Sequence, residues 1–245
     1  MKAVVLAGGK GTRLRPFTYI IKKELLPVYD KPLIYYPLDT LRRSGIDDIA
    51  IVTDPKHLAS FIEIIGDGKE LGIKISYTIQ NEPLGMANAL YSARHLVGKK
   101  ESIAVINGDN IFEEDFRNAV KNFKGGAQIV IIQVPDPERS GVVYFKGNTV
   151  LRIEEKPSNP ASNWIAPGFY LYDEKVFSMI EVLKPSPRGE YEITDINNMY
   201  IKEKKMGYIK AKGKWFDAGT FDSLLDAANF IANQRREEEG KKNSP

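Results

Sequence analysis

The chain opens with an apolar run from Ala3 to Leu6 that passes straight into a glycine-rich basic loop, Ala7-Gly8-Gly9-Lys10-Gly11-Thr12-Arg13. A run with no polar position belongs to a strand buried on both faces, inside a sheet rather than at its edge. Further β-branched runs follow at Ile49–Thr53, Ile73–Thr78, Ile103–Ile106, Ile129–Val134 and Gly168–Tyr172. Helical patterns separate the earlier ones, at Pro37–Ser44, Lys56–Ile65, Met86–Leu96 and Asp115–Asn122. This alternation predicts an α/β fold, a mostly parallel sheet with helices on both faces. The stretch Val142–Ile153 departs from it: two alternating runs flank Lys146-Gly147-Asn148, which predicts a small antiparallel ribbon.

Later helices are expected near Glu174–Leu183 and Ile193–Lys204, with a last one from Thr220 to about Gln234. Thr220 is suited to cap that helix, with Asp222 in its first turn. The charged segment 235–245 has no apolar face and is expected to fray. No internal repeat or linker interrupts the chain, so residues 1–234 are expected to form one domain.

At 245 residues and 42% hydrophobic, the chain can bury a full core. Its 35 basic and 32 acidic side chains leave a net charge of only +3, and the two signs are interspersed, which speaks against a nucleic-acid partner. There is no cysteine, so disulfides, thiolate metal sites and cysteine nucleophiles are excluded. No apolar run approaches the roughly 18 residues of a membrane span, and the N-terminus has no cleavable signal pattern. A soluble cytoplasmic protein is expected.

Three glycines in four positions, Gly8, Gly9 and Gly11, let backbone N–H groups approach an anion without a Cβ in the way. Lys10, Arg13, Arg15 and Lys23 follow closely, which points to a polyphosphate. The spacing matches neither standard phosphate loop. Leu14 stands where a dinucleotide fingerprint has its third glycine, and Lys10 is followed by Gly11 rather than by Ser or Thr.

The run Gly8-Gly9-Lys10-Gly11-Thr12-Arg13-Leu14-Arg15-Pro16, followed by Lys23-Glu24-Leu25-Leu26-Pro27-Val28-Tyr29-Asp30-Lys31-Pro32, resembles the sugar-1-phosphate nucleotidylyltransferases. The segment Val28–Leu38 is similar to the glucose-1-phosphate thymidylyltransferases among them. The likeness continues through Gln80–Gly85, Asn107–Asn110, Glu154–Pro157, Arg188–Asp195 and Trp215–Thr220. It implies a Rossmann-like nucleotidyltransferase fold and the conversion of dTTP and glucose 1-phosphate into dTDP-glucose and pyrophosphate. Attack of one polyanion on another must be catalysed mainly by positioning and charge neutralisation.

The resemblance assigns Arg13 and Lys23 to catalysis at the leaving pyrophosphate, and Asp109 and Asp217 to Mg²⁺. Around the nucleotide it implies Leu6, Ala7, Gly8, Gly9, Gly11, Thr12, Arg13, Lys23, Gln80, Pro83, Gly85 and Asp109. Around the sugar phosphate it implies Asn110, Gly141, Glu155, Lys156, Ala166, Tyr170 and Arg188. The Gln80 amide offers one donor and one acceptor, which suits the N3–H and O4 edge of thymine or uracil. Arg15 and Lys22 are expected to be solvated or to bond the loop, and His57 and His95 to lie far from every motif.

The chain departs from the family pattern in places. Ala218 replaces a usual Thr beside Asp217, and Ala166-Pro167 a usual Val-Thr beside the sugar. Longer members continue past the equivalent of Gln234 with a segment that serves a second nucleotide site and tetramer packing, so neither property carries over; a homodimer is expected. A UTP-dependent enzyme and a non-catalytic nucleotide-sugar-binding homologue remain open alternatives. A dinucleotide oxidoreductase fits less well, because no acidic ribose partner follows the loop.

Overall fold

A computed structural model describes residues 1–242. Its first half runs β1 (Lys2–Ala7), β2 (Pro27–Val28), β3 (Lys31–Pro32), α1 (Tyr35–Arg43), β4 (Asp48–Thr53), α2 (Leu58–Ile65), β5 (Lys74–Ile79), α3 (Met86–Ser92), β6 (Ile103–Asn107), β7 (Asn110–Phe112) and α4 (Arg117–Asn122). The second half adds β8 (Ala127–Gln133), β9 (Gly141–Lys146), β10 (Thr149–Glu155), β11 (Trp164–Ala166), β12 (Phe169–Tyr172), α5 (Lys175–Glu181), α6 (Ile193–Lys202), β13 (Met206–Lys210), β14 (Trp215–Asp217) and α7 (Phe221–Lys242).

Ten strands form one mixed sheet in the order β10-β9-β11-β8-β12-β6-β1-β4-β5, with β13 paired to β8. Strands β1, β4, β5, β6, β8, β9 and β13 point one way, and β10, β11 and β12 the other. The pleat divides β1 between two cores. Val4 and Leu6 pack with α3, α5 and α6 on one face, whereas Ala3, Val5 and Ala7 pack with α1 and α2 on the other. The apolar opening run is therefore central, as its composition requires.

The ribbon around Gly147 forms as β9 and β10, with Gly141 opposite Glu155 at its open end. Six strands escape the sequence pattern. β2, β3 and β11 are only two or three residues long. β13 is a short strand behind a lysine-rich run, and β7 and β14 pair across more than 100 residues to place Asp217 opposite Asn110. Pairing at that separation leaves no local trace.

Thr220 caps α7 as expected, its Oγ1 accepting the Ser223 N–H at 3.2 Å. The helix then runs on to Lys242, so the segment from Arg235 expected to fray is helical as far as described; residues 243–245 lie outside the described residues. Glu237 stands four residues before Lys241, the order that supports a helix, and Arg235 reaches back to Asp30 at 2.9 Å.

The α2 side chain Phe61 is fully buried, remote from the loop after β1. Phe61→Ala should lower stability by about 3–5 kcal/mol through lost contacts and a residual cavity. The expected observation is a lower urea midpoint with an unchanged m-value; an unchanged midpoint would show that α2 contributes little to the core.

Candidate active site

β1 and β6 are parallel neighbours with Leu6 opposite Asn107. The glycine-rich loop and Asn107-Gly108-Asp109 therefore leave the sheet side by side, where the connections to β4 and to β6 diverge. Open α/β sheets bind ligands at such points. A cleft of about 1040 Å³ opens there. It is lined by Leu6, Gly8, Gly9, Gly11, Thr12, Arg13, Lys23, Gln80, Pro83, Gly85, Asp109, Asn110, Gly141, Glu155, Lys156, Ala166, Tyr170 and Asp217. Two expected residues are not on its wall. The Ala7 methyl is buried in the α1/α2 core, and Arg188 sits at the rim, its Nη2 donating to Glu192 at 2.8 Å.

The floor is a cluster of alternating charges. Lys23 Nζ donates to Asp109 and lies 3.8 Å from Glu24, while Arg13 Nη2 reaches Asp217 at 3.4 Å. Burial works to lower the Lys23 pKa, but Asp109, Glu24 and Asp217 together raise it above the ordinary lysine value. Burial likewise opposes ionisation of Asp109, and the Lys23 charge and hydrogen bond outweigh it, holding this carboxyl below its usual value. Asp217 has only the exposed Arg13 within hydrogen-bond reach, at 3.4 Å. Burial, then Asp109, push it up to about 6 against Lys23 and Arg13.

The scaffold fixes these groups. Asn110 Nδ2 donates to Asp109 and its Oδ1 accepts from Trp215 Nε1 at 2.9 Å, so both ends of this amide are engaged inside the protein. A Cβ on Gly219 would lie 2.5 Å from Arg13 Nη2 and 2.8 Å from Asp217 Oδ1, so a glycine is needed where the two meet. Ala218, which replaces the usual Thr, is wholly buried in an apolar cluster with Val28, Leu33 and Tyr36.

At the opposite end, Gly141, Glu155 and Ala166 lie side by side across β9, β10 and β11. Glu155 Oε2 accepts from Thr194 Oγ1 at 2.6 Å, and Lys156 and Arg188 approach its Oε1 at 3.7 and 3.6 Å. Lys156 has φ +47, a left-handed conformation that L side chains rarely adopt. Tyr170 is 3% exposed, and burial, with Glu155 adding to it, raises its phenol above the ordinary range.

Gln80, 4% exposed, closes the third side. Its Nε2 donates to Gly85 O at 3.3 Å and to Asn88 Oδ1 at 2.9 Å. Both amide hydrogens are thus used within the protein, and the expectation that Gln80 offers a donor as well as an acceptor is corrected: only Oε1 remains. That oxygen crowds the place a Cβ on Gly8 would take. Gly85 has φ +101, and a Cβ there would come within 2.6 Å of Tyr191 O.

Two other expectations change. Lys22 is not solvated: it is 5% exposed and donates to Asp54 at 2.6 Å. His57, bonded through Nδ1 to the same Asp54 at 2.8 Å, is not remote, because it borders a neighbouring pocket of about 280 Å³ shared with Gly8, Lys10, Lys23 and Gln80. Arg15 packs over the Tyr19 ring, 4.9 Å from its centroid.

The sequence profile of the nucleotidyl transferase family matches residues 2–234. The chain belongs to the nucleotidyl transferase family. The transferase is 45% identical over 242 residues to glucose-1-phosphate thymidylyltransferase of Mycobacterium tuberculosis H37Rv, spanning 96% of this chain and 84% of that protein. It is 44% identical to the enzyme of that name from Neisseria meningitidis serogroup A, over 94% of this chain and 82% of the other. Among solved structures, one assigned as glucose-1-phosphate thymidylyltransferase from Bacillus anthracis, with sucrose, superposes with a TM-score of 0.89 at 44% identity, covering 94% of each chain. UDP-glucose pyrophosphorylase with UDP-glucose superposes at 0.83 and 25% identity, covering 95% of this chain and 98% of that one.

The transferase carries cleft residues that the sequence reading did not single out. Glu24 is 1% exposed with Oε2 unpartnered; Asn107, Thr194 and Trp215 also face the cleft. Glu24 had a sequence signal, since it lies beside Lys23, but nothing local marks it as buried. No helix among the described residues is long and apolar enough to cross a membrane.

The carboxyls fit a hard divalent cation. Asp217 Oδ1 is buried without a partner, and no group of three or more His, Asp or Glu gathers around it among the described residues. Mg²⁺ typically takes one or two carboxylates and completes its shell with water and phosphate oxygens.

Burial, opposed by Lys23 and Lys22, pushes Glu24 up to about 7 from an ordinary 4.5. Between those values the folded chain holds a proton that the unfolded chain has released, so this group's contribution to stability falls as pH rises through that window. The urea midpoint of Glu24→Gln should therefore fall less than that of the parent between pH 4.5 and 7. Parallel curves would exclude Glu24 as the source.

Proposed function

We propose that this nucleotidyl transferase moves a thymidylyl group from dTTP to glucose 1-phosphate, giving dTDP-glucose and pyrophosphate. The observation that carries this reading is one cleft with a glycine-rich loop and cations on one side, paired carboxylates beneath, and Gly141, Glu155 and Lys156 opposite. It is supported by relatives called glucose-1-phosphate thymidylyltransferase at 43–45% identity. The UDP-glucose pyrophosphorylase neighbour supports a second reading with UTP as donor, since uracil and thymine share one hydrogen-bonding edge. A non-catalytic homologue is disfavoured because Arg13, Lys23, Asp109 and Asp217 all face the cleft.

In this mechanism the backbone of Gly8, Gly9, Gly11 and Thr12 receives the phosphates, and Leu6, Pro83 and Gly85 enclose the base beside Gln80. Ala7 contributes through its main chain alone. Asp109 and Asp217 would hold Mg²⁺, which when bound neutralises phosphate oxygens. Asn110 serves the sugar-phosphate side by fixing the Asp109 carboxylate. Glu155 accepts from sugar hydroxyls, Gly141 and Ala166 leave room for the pyranose, and Tyr170 forms its apolar wall. Lys156 and Arg188 draw in the sugar phosphate, which attacks the α-phosphate in line with departing pyrophosphate. Arg13 and Lys23 stabilise the charge that develops on that leaving group. The proposal includes a cytoplasmic setting, small-molecule substrates without nucleic acid, and a homodimer, for which exposed Phe17, Tyr19 and Ile20 offer an apolar surface.

Pyrophosphate release should require Mg²⁺ and glucose 1-phosphate, be fastest with dTTP among dTTP, UTP, CTP, ATP and GTP, and yield dTDP-glucose by mass. Preference for UTP would replace the thymidylyl reading, and no release with any donor would overturn the enzyme. Arg13→Ala should lower kcat by ~10²–10³-fold with little change in KM. A loss confined to KM would remove Arg13 from the transition state.

A further inference from the structure

Among the described residues Gln80 is the one buried side-chain amide on the base side of the cleft, and a glutamine can present either end. Here its direction is set chemically. The carbonyl of Gly85 can only accept, so the end of Gln80 facing it at 3.3 Å must be the NH₂ group. The second hydrogen of that group goes to Asn88 Oδ1 at 2.9 Å. Gly85 O cannot drift, because the adjoining loop is tied to the approach of α6. Tyr191 N–H donates to Leu84 O at 2.8 Å, and Ala87 N–H to Tyr191 O at 3.1 Å. Oε1, with no protein donor among the described residues, is left beside Gly8 on the cleft wall.

We propose that Asn88 is a specificity-determining positioning residue, which locks the Gln80 amide with its acceptor towards the ligand and so selects pyrimidine donors bearing N3–H over cytosine. This rests on the functional reading above, in which the base lies against Gln80. Thymine and uracil carry a hydrogen at N3 that Oε1 accepts. Cytosine presents a lone pair there, so two acceptors would face each other and one polar group would be buried unpaired. The sugar and the C5 methyl play no part in this choice, and dUTP against dCTP isolates it.

Asn88→Ala removes the shorter of the two hydrogen bonds that hold the amide and leaves only the 3.3 Å contact to Gly85 O to oppose turning, so the flipped amide, with its NH₂ towards cytosine N3, costs one hydrogen bond less to reach. The ratio of kcat/KM for dUTP over dCTP should fall roughly tenfold, the scale of one hydrogen bond. Asn88→Asp keeps an acceptor, and it adds its charge in the first turn of α3, where a helix tolerates a negative side chain. It should weaken both donors alike and leave their ratio within about twofold of the parent. A ratio unmoved in Asn88→Ala reduces Asn88 to a packing role and overturns the inference, as does an equal fall of the ratio in both variants. Calorimetric Kd values for dUMP and dCMP separate this from the reaction itself. A parent chain that prefers dUMP yet releases no pyrophosphate overturns the catalytic reading alone, whereas one that binds the two equally, or neither, overturns the inference.

Discussion

The parallel pairing of β1 with β6 is the constraint on which the rest of the molecule depends. Leu6 opposite Asn107 brings the glycine-rich loop and Asp109 out of the sheet together. The two strands are buried on both faces, so a slip of one residue would turn Val4 and Val5 into the wrong cores. The register that satisfies hydrophobic packing is thus the one that aligns the glycine-rich loop with a carboxylate. Stability and site geometry are set by one pairing.

Upon that frame the protein buries charge. Lys23, Asp109 and Glu24 are largely withdrawn from water, and the more exposed Asp217 and Arg13 face them across the cleft floor. Each alone would be costly to desolvate, and only the alternation of sign makes the set tolerable. The carboxylates outnumber their close cations: Asp217 Oδ1 and Glu24 Oε2 are buried without partners. In the proposed function a divalent cation and a polyphosphate would offset that imbalance. The base side follows the opposite rule. There every donor of Gln80 is satisfied by the protein, and what is left over, a single acceptor, becomes the means of selection.

Much of this was legible beforehand because its signals are local. The β-branched runs mark the central strands, Lys146-Gly147-Asn148 marks the ribbon, and Thr220 marks the start of α7. The ordered motifs from Gly8 to Thr220 name most of the cleft. Three of the misses share a physical cause. The β7–β14 pairing, the burial of Lys22 on Asp54 and the approach of His57 to the glycine-rich loop join residues far apart in the chain. The helical extension past Gln234 was missed for another reason: propensity and spaced charges can sustain a helix without an apolar face.

By itself the sequence determined the α/β architecture, the glycine-rich, basic character of the loop after β1 and the residue types gathered at the site. Periodicity, glycine spacing and charge are properties of the chain alone. Tertiary structure alone decided which charges are paired and which are stranded, and which way the Gln80 amide faces. An amide has two ends, and nothing in its own residue chooses between them. That choice belongs to Gly85 O and Asn88, brought into contact by folding.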